Sequence, residues 1–335
     1  MSLMSLVSLS CPALDTPAAL SYNTSMPPTG MYELIAANKR NSVLLVIIML
    51  LLVAGVAAAI GFATGGAELG GPQALFFGAA AFFIAGIGAL ISYFSGTQII
   101  MAVSGARPAD PERERQLHNI VEEVCIAAGL PKPALYIIED SAPNAFACGR
   151  NPQHSAIAVT RGLMDKLSRS ELQGVIAHEI AHIQEYDILF ATLMSVLVGM
   201  VVLMCDMFRH WLWFGGRRRR SSNRGNQGEA LLAMLAIVLM IIAPLFAQII
   251  QLAASRQREY LADATGAKLT RDPESLARAL EKIANDPEPL EAANRGTQHL
   301  YIVNPLKGKA SAEFQSWFAT HPPTRERIAR LRAMT

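Results

Sequence analysis

His178, Glu179 and His182 stand as H-E-x-x-H within the stretch SRSELQGVIAHEIAHIQEYDILFATLMSVLVGMVVLMC, Ser168 to Cys205. On a helix, residues at i and i+4 lie about 40° apart around the axis and roughly 6 Å apart along it. Both imidazoles can therefore reach one small cation from one face. Zinc accepts neutral imidazole nitrogens, and where it acts on water it keeps one position open. Glu179 sits one residue round from His178, where a carboxylate can take a proton from such a water. The pattern has this meaning only on a helix. Ser168 with Glu171 three residues on is a capping box, which predicts a helix start. No proline follows, so the same helix is expected to run on into the wholly apolar residues after Asp187. Such a helix would hold the histidines close to a bilayer surface. A soluble helix with two surface histidines is the plain alternative.

The composition favours the membrane. Of 335 residues, 52% are hydrophobic and 17% charged, where an average soluble domain has about a quarter charged. The formal net charge of +2 is too small to argue for a nucleic-acid partner. Cys11, Cys125, Cys148 and Cys205 are scattered without a C-x-x-C pair, which argues against a disulfide framework.

Residues 1–30 are rich in Ser, Pro and Thr, with Asp15 their only charge and no basic start. They read as a disordered extension, or as sequence upstream of a start at Met31. Val43 to Ala63 has no charge for 21 residues, enough to span a bilayer as a helix. A second uncharged run extends from Leu69 to Ala106, most apolar from Gln73 to Phe94. Residues 31–106 thus form an N-terminal membrane region with two transmembrane helices. Lys39 and Arg40 precede the first span, and Arg107, Arg113 and Arg115 follow the second, so the positive-inside rule places both flanks in the cytoplasm.

Residues 107–335 read as one catalytic domain interrupted by an apolar hairpin, 188–255, with a basic loop at 209–229. If both arms of that hairpin cross, the loop with Arg217 to Arg220 lies outside, against the same charge rule. If they do not fully cross, it stays inside. Asp110 and Pro111 are expected to open a soluble helix that ends at Gly129. ALYIIED, from Ala134, and SAIAVT, from Ser155, read as strands. Between them lies PNAFACG, Pro143 to Gly149, by pattern an ordinary turn and strand. A small sheet ahead of the histidine helix is a means of offering a strand edge to an extended peptide.

Two histidines leave a third ligand to find. Asp187, nine residues from His178, would lie about 180° round a continuous helix and face away. Glu185 would share the face but stand about 10 Å along the axis. His210 lies beyond the third apolar run. Glu259 is better placed, because the fourth run returns the chain to the starting surface, and Asp263 at i+4 could accept from a ligand imidazole. By spacing alone, a charged surface helix explains Glu259 and Asp263 about as well.

Taken together, MYELIAANKR, PNAFACGR, HEIAH, SRQREYLADATGA and THPPTRERI resemble, in family order, the HtpX family of bacterial membrane-bound zinc metalloproteases, distant relatives of the CAAX prenyl proteases. The resemblance covers Met31 to Thr335. It implies that His178, His182 and Glu259 bind one zinc ion, that Glu179 is the general base, and that Asp263 orients a ligand histidine. Asn144, Ala145, Phe146 and Ala147 would lie on the substrate-binding strand. His321 of the His-Pro-Pro motif would stabilise the tetrahedral intermediate. The family generally has Asn where this chain has Glu185. The implied fold is mainly α with a small β-sheet, a zincin-like catalytic domain joined to a bundle of transmembrane helices. The implied function is endopeptidase quality control of misfolded membrane proteins in the bacterial inner membrane, the active site facing the cytoplasm. Expected partners are protein or peptide substrates and the lipid bilayer. Cleavage of prenylated tails, or a scaffold with a degenerate site, are the alternatives.

Overall fold

The structure, a computed structural model, describes residues 31–199, 256–291, 300–303 and 322–334. The extension 1–30, the basic loop 209–229, the fourth apolar run and His321 lie outside the described residues. The helical segment α1, Met31–Val103, carries Pro72 and includes two stretches long and apolar enough to cross a membrane, Ser42–Phe62 and Leu69–Val103. It reverses on itself. In a straight helix Gly61 and Gln73 would stand about 18 Å apart, yet a methyl group at Gly61 would lie 2.6 Å from the Gln73 carbonyl oxygen. Likewise, Gly78 abuts Ala54 and Ala58. The glycines let the two arms approach closely, as small residues do between apolar helices. Leu75, Phe76, Phe83, Ile87, Leu90 and Phe94 remain exposed along the second arm, the face that a bilayer would cover.

The soluble part is built on a four-stranded sheet of order β1-β2-β4-β3, with β1 Arg107–Pro108, β2 Ala134–Ile138, β3 Ala145–Asn151 and β4 His154–Thr160. The β2 and β4 strands run parallel, and the other two pairs are antiparallel. Helix α2, Arg115–Ala128, ends at Gly129 in the left-handed conformation, as expected, but begins later than Asp110 and Pro111 suggest. Asp110 instead accepts from the backbone N–H groups of Glu112 and Arg113, closing a tight turn ahead of the helix.

After the short helix α3, Arg161–Lys166, comes α4, Arg169–Gln184, which holds the histidines. Its start is as expected: Ser168 Oγ accepts from Glu171 N and the Glu171 carboxylate accepts from Ser168 N. Val175, Ile176, Ile180 and Ile183 are buried against Ile120 and Val124 of α2 and against Ile137, Ile157 and Val159 of the sheet. Leu276 and Leu280 of α7, Pro273–Asn285, close the core from another side.

Continuity of α4 with the apolar helix fails. The helix stops at Gln184, Tyr186 takes a left-handed φ of 62°, and a separate apolar helix α5 spans Asp187–Gly199. Phe190, Met194, Leu197 and Val198 of α5 pack on Met49, Val53, Val56 and Ala85 of α1. The architecture is therefore mainly helical with one small sheet. Among the described residues two helices, not an evident bundle, are long enough to cross a membrane. Helix α6, Arg256–Thr270, crosses α4 so closely at Gly266 that an added methyl would lie 3.0 Å from the His178 backbone nitrogen. A bulkier residue there would lift α6, and with it Glu259 and Asp263, off the histidines. The last described helix is α8, Thr324–Arg332.

Candidate metal centre

The i, i+4 spacing on α4 brings His178 Nε2 and His182 Nε2 to 3.2 Å. The crossing at Gly266 lays Glu259 over them, with Oε2 3.7 Å from His178 Nε2 and Oε1 3.7 Å from His182 Nε2. One donor atom from each of the three residues lies within 4.8 Å of the others. Three donors held about 2.0–2.1 Å from one centre at tetrahedral angles would stand about 3.3 Å apart. The cluster fits a small tetrahedral cation.

Each ring is oriented from behind by a carboxylate, leaving both Nε2 atoms to face the centre. Asp263 Oδ1 stands 3.0 Å from His178 Nδ1, and Asp187 Oδ2 stands 3.3 Å from His182 Nδ1. Such carboxylate–histidine pairs fix ring orientation at metal sites. Asp187 was expected to face away. The left-handed turn at Tyr186 breaks the helical phase and swings it back onto His182. Glu185, also expected to lie distant on the helix, is buried at the same break and accepts from Thr265 Oγ1 at 2.9 Å.

Arg327 of α8 is the other residue the sequence did not single out. It is 1% exposed and donates through Nε and Nη2 to Asp263 at 2.8 and 2.7 Å. Its Nη1 stands 3.2 Å from Glu259 and donates to the Ile302 carbonyl at 2.9 Å. Within TRERIARLR, Arg327 and Leu331 are an i, i+4 pair and both are buried. That spacing was the only available sign of an inward-facing arginine.

Charge balance adds a second test of the metal. Among the described residues, the carboxylates of Glu179, Glu259, Asp263 and Asp187 are faced by the guanidiniums of Arg327 and of Arg258, 3.4 Å from Asp187. Among these described groups negative charge exceeds positive, which a divalent cation would neutralise. Burial pulls the His182 pKa down, but the Asp187 hydrogen bond and the Glu259 charge outweigh it and raise the pKa to about 10. His178 goes the other way, to about 4, because burial and the Arg327 charge disfavour its imidazolium despite Asp263. Burial, reinforced by Glu259, pushes the Glu179 carboxyl up to about 7 against the opposing charge of His182.

Glu179 lies against the sheet, where it accepts from the Ala147 backbone N–H. The residues expected on the substrate strand are all buried at this edge. Ala145, Phe146 and Ala147 open β3, and Asn144 immediately precedes it. Most of the edge is already engaged. The Ala145 carbonyl accepts from Ile302 N at 3.0 Å, Asn144 Nδ2 donates to the Val303 carbonyl at 3.0 Å, and Gly149 N donates to Thr192 Oγ1 at 2.9 Å. Phe146 packs edge-on against Tyr301 at 5.0 Å. His321 falls outside the described residues.

Residues 111–335 match the family model for peptidase family M48. The chain belongs to the HtpX family of M48 peptidases. A protease HtpX homolog of Thermoanaerobacter pseudethanolicus is 48% identical over 245 residues, 73% of this chain and 80% of that protein. One from Dictyoglomus thermophilum is 42% identical over 309 residues, 92% and 96% of the two chains. One from Streptococcus gordonii is 38% identical and matched over its full length, covering 91% of this chain. The crystal structure of S. mikatae Ste24p superposes at a TM-score of 0.43 with 22% identity, covering 77% of this chain and 58% of that one, a likeness too loose to inform the HtpX site.

Proposed function

We propose that this HtpX-family chain is a zinc endopeptidase of the cytoplasmic membrane whose site faces the cytoplasm and whose substrates are misfolded membrane proteins. The observation that carries this reading is the convergence of His178, His182 and Glu259 within 4.8 Å, with Glu179 on the next position of the same helix. His178, His182 and Glu259 would hold zinc, which supplies a Lewis-acidic centre and a water of lowered pKa. Asp263 and Asp187 stand at the two Nδ1 atoms and keep both Nε2 atoms aimed at the centre. Glu179, its position fixed by the Ala147 N–H, accepts the proton of the attacking water and passes it to the leaving amine. His321 donates to the oxygen that gains charge at the scissile carbonyl. The β3 edge aligns the substrate. Purified protein loaded with zinc should cleave casein, and lose that activity on chelation and regain it with zinc. Failure of zinc to bind or restore cleavage would end this reading.

Glu259→Ala removes one of three ligands. We expect stoichiometric zinc in the parent and loss of zinc under mild chelation in the variant, measured by elemental analysis of purified protein. Full zinc in the variant would assign the third ligand elsewhere.

In the proposed topology, residues 31–106 form the N-terminal membrane region and 107–335 the protease domain, interrupted by hairpin 188–255. Gly71 is exposed with open space around it, and Glu112 is exposed in the turn before α2. In a chain freed of native cysteines, Gly71→Cys should react with an impermeant maleimide on intact cells. Glu112→Cys should react only after permeabilisation. The opposite pattern places the protease domain outside.

A further inference from the structure

Arg150 ends the PNAFACGR motif, yet it takes no part in the metal centre. It lines a cavity of about 680 Å³ between the second arm of α1 and the sheet. Tyr93 and Phe94 form one wall, and the Arg150 guanidinium lies 5.4 and 5.2 Å from their ring centres. Lys132 and His154 add further cationic or proton-binding groups, and no Asp or Glu is among the described lining residues. Lys132 pairs outside the cavity with Glu122 at 3.0 Å, but both side chains are well exposed, and such pairs exchange readily with solvent ions.

The level of the cavity identifies its occupant. The exposed large apolar side chains of the second arm are densest from Leu75 to Phe94, with Leu69 and Val103 isolated at its ends, and after Phe94 the arm reads Ser95-Gly96-Thr97-Gln98. The nineteen helical steps from Leu75 to Phe94, at 1.5 Å each, cover about 29 Å, close to the thickness of a bilayer's hydrocarbon core, roughly 30 Å. Tyr93 and Phe94 therefore mark the boundary where aromatic side chains collect. The cavity is lined at this level and by Thr97 and Gln98 beyond it, at headgroup depth. A lipid whose acyl chains lie along α1 would carry its phosphate to Arg150.

We infer that this cavity binds the headgroup phosphate of an anionic phospholipid, with Arg150 and Lys132 as its cationic contacts. The inference rests on the proposed passage of α1 through the bilayer and is independent of zinc chemistry, so a lipid-binding readout separates it from the protease reading. Basic side chains near a membrane surface contribute enough attraction for about fivefold in binding each.

The test is native mass spectrometry on delipidated full-length protein in non-ionic detergent, offered phosphatidylglycerol or phosphatidylcholine with the same acyl chains. Retention of phosphatidylglycerol over phosphatidylcholine is expected. Arg150→Gln should reduce it about fivefold or more. Gln153→Glu, at the exposed rim, should reduce it by repulsion without disturbing packing, so it decides the matter if the Arg150 variant folds poorly. Equal retention of both lipids, or parental retention by Gln153→Glu, overturns the proposal. Displacement of the lipid by millimolar glycerol 3-phosphate would assign the cavity to a soluble phosphate ester. Displacement by a casein peptide would make it part of the substrate path. Either result also overturns the lipid assignment.

Discussion

Glu179→Gln should abolish peptide hydrolysis while leaving the zinc in place. The substitution preserves side-chain volume in a position only 2% exposed, and the amide oxygen can still accept from the Ala147 N–H. What it removes is the capacity to take and return a proton, a contribution of about 10²–10⁴-fold in general acid–base catalysis. Glu179 lies outside the His178–His182–Glu259 cluster, so zinc stoichiometry should equal that of the parent. The measurement is kcat on one peptide together with elemental analysis of the same sample. Turnover within a few-fold of the parent in a zinc-loaded variant would remove Glu179 from the mechanism. Loss of zinc would instead place its carboxylate among the ligands.

Arg327→Met should cost roughly 3–5 kcal/mol of stability, the usual result of removing one partner from a buried ion pair. Methionine fills part of the space but leaves Asp263 and Glu259 facing one another without the guanidinium that now stands 2.7 Å from one and 3.2 Å from the other. The Ile302 carbonyl also loses its donor. Because a divalent cation relieves the same surplus of negative charge, zinc should restore part of the loss through preferential binding to the folded state. Denaturant unfolding of parent and variant, each with and without zinc, measures both effects. A variant as stable as its parent without metal would mean that Arg327 is not the counter-charge holding α6 and α8 together.

The sequence made legible those parts of the site that depend on local periodicity. The Ser168–Glu171 box marks the start of α4, and the i, i+4 spacings of His178–His182 and Glu259–Asp263 place each pair on one face. The strands were readable from their apolar runs, and Gly129 from its position after one. Features arising from packing at long sequence range were not. Tyr186 takes a left-handed φ that a tyrosine does not advertise, and its turn reverses the expected facing of Asp187. Arg327 reads as one more charge on a basic helix until its partner, 64 residues earlier in the chain, is brought beside it. Gly266, inside a helix that would ordinarily disfavour glycine, was the mark of the close crossing that delivers Glu259.

The β3 edge is occupied by its own chain, with Ile302 on Ala145, Glu179 on Ala147 and Thr192 on Gly149. An incoming peptide that pairs along this edge exchanges partners more than it adds them, so backbone hydrogen bonding contributes little net affinity. Its competitor is intramolecular, and tethered segments act at effective concentrations on the order of millimolar. A short peptide at micromolar concentration loses that contest. A long polypeptide anchored in the same bilayer brings its own high local concentration and does not. If β3 aligns the substrate as proposed, its edge would discriminate by tethering and length before any side chain is read.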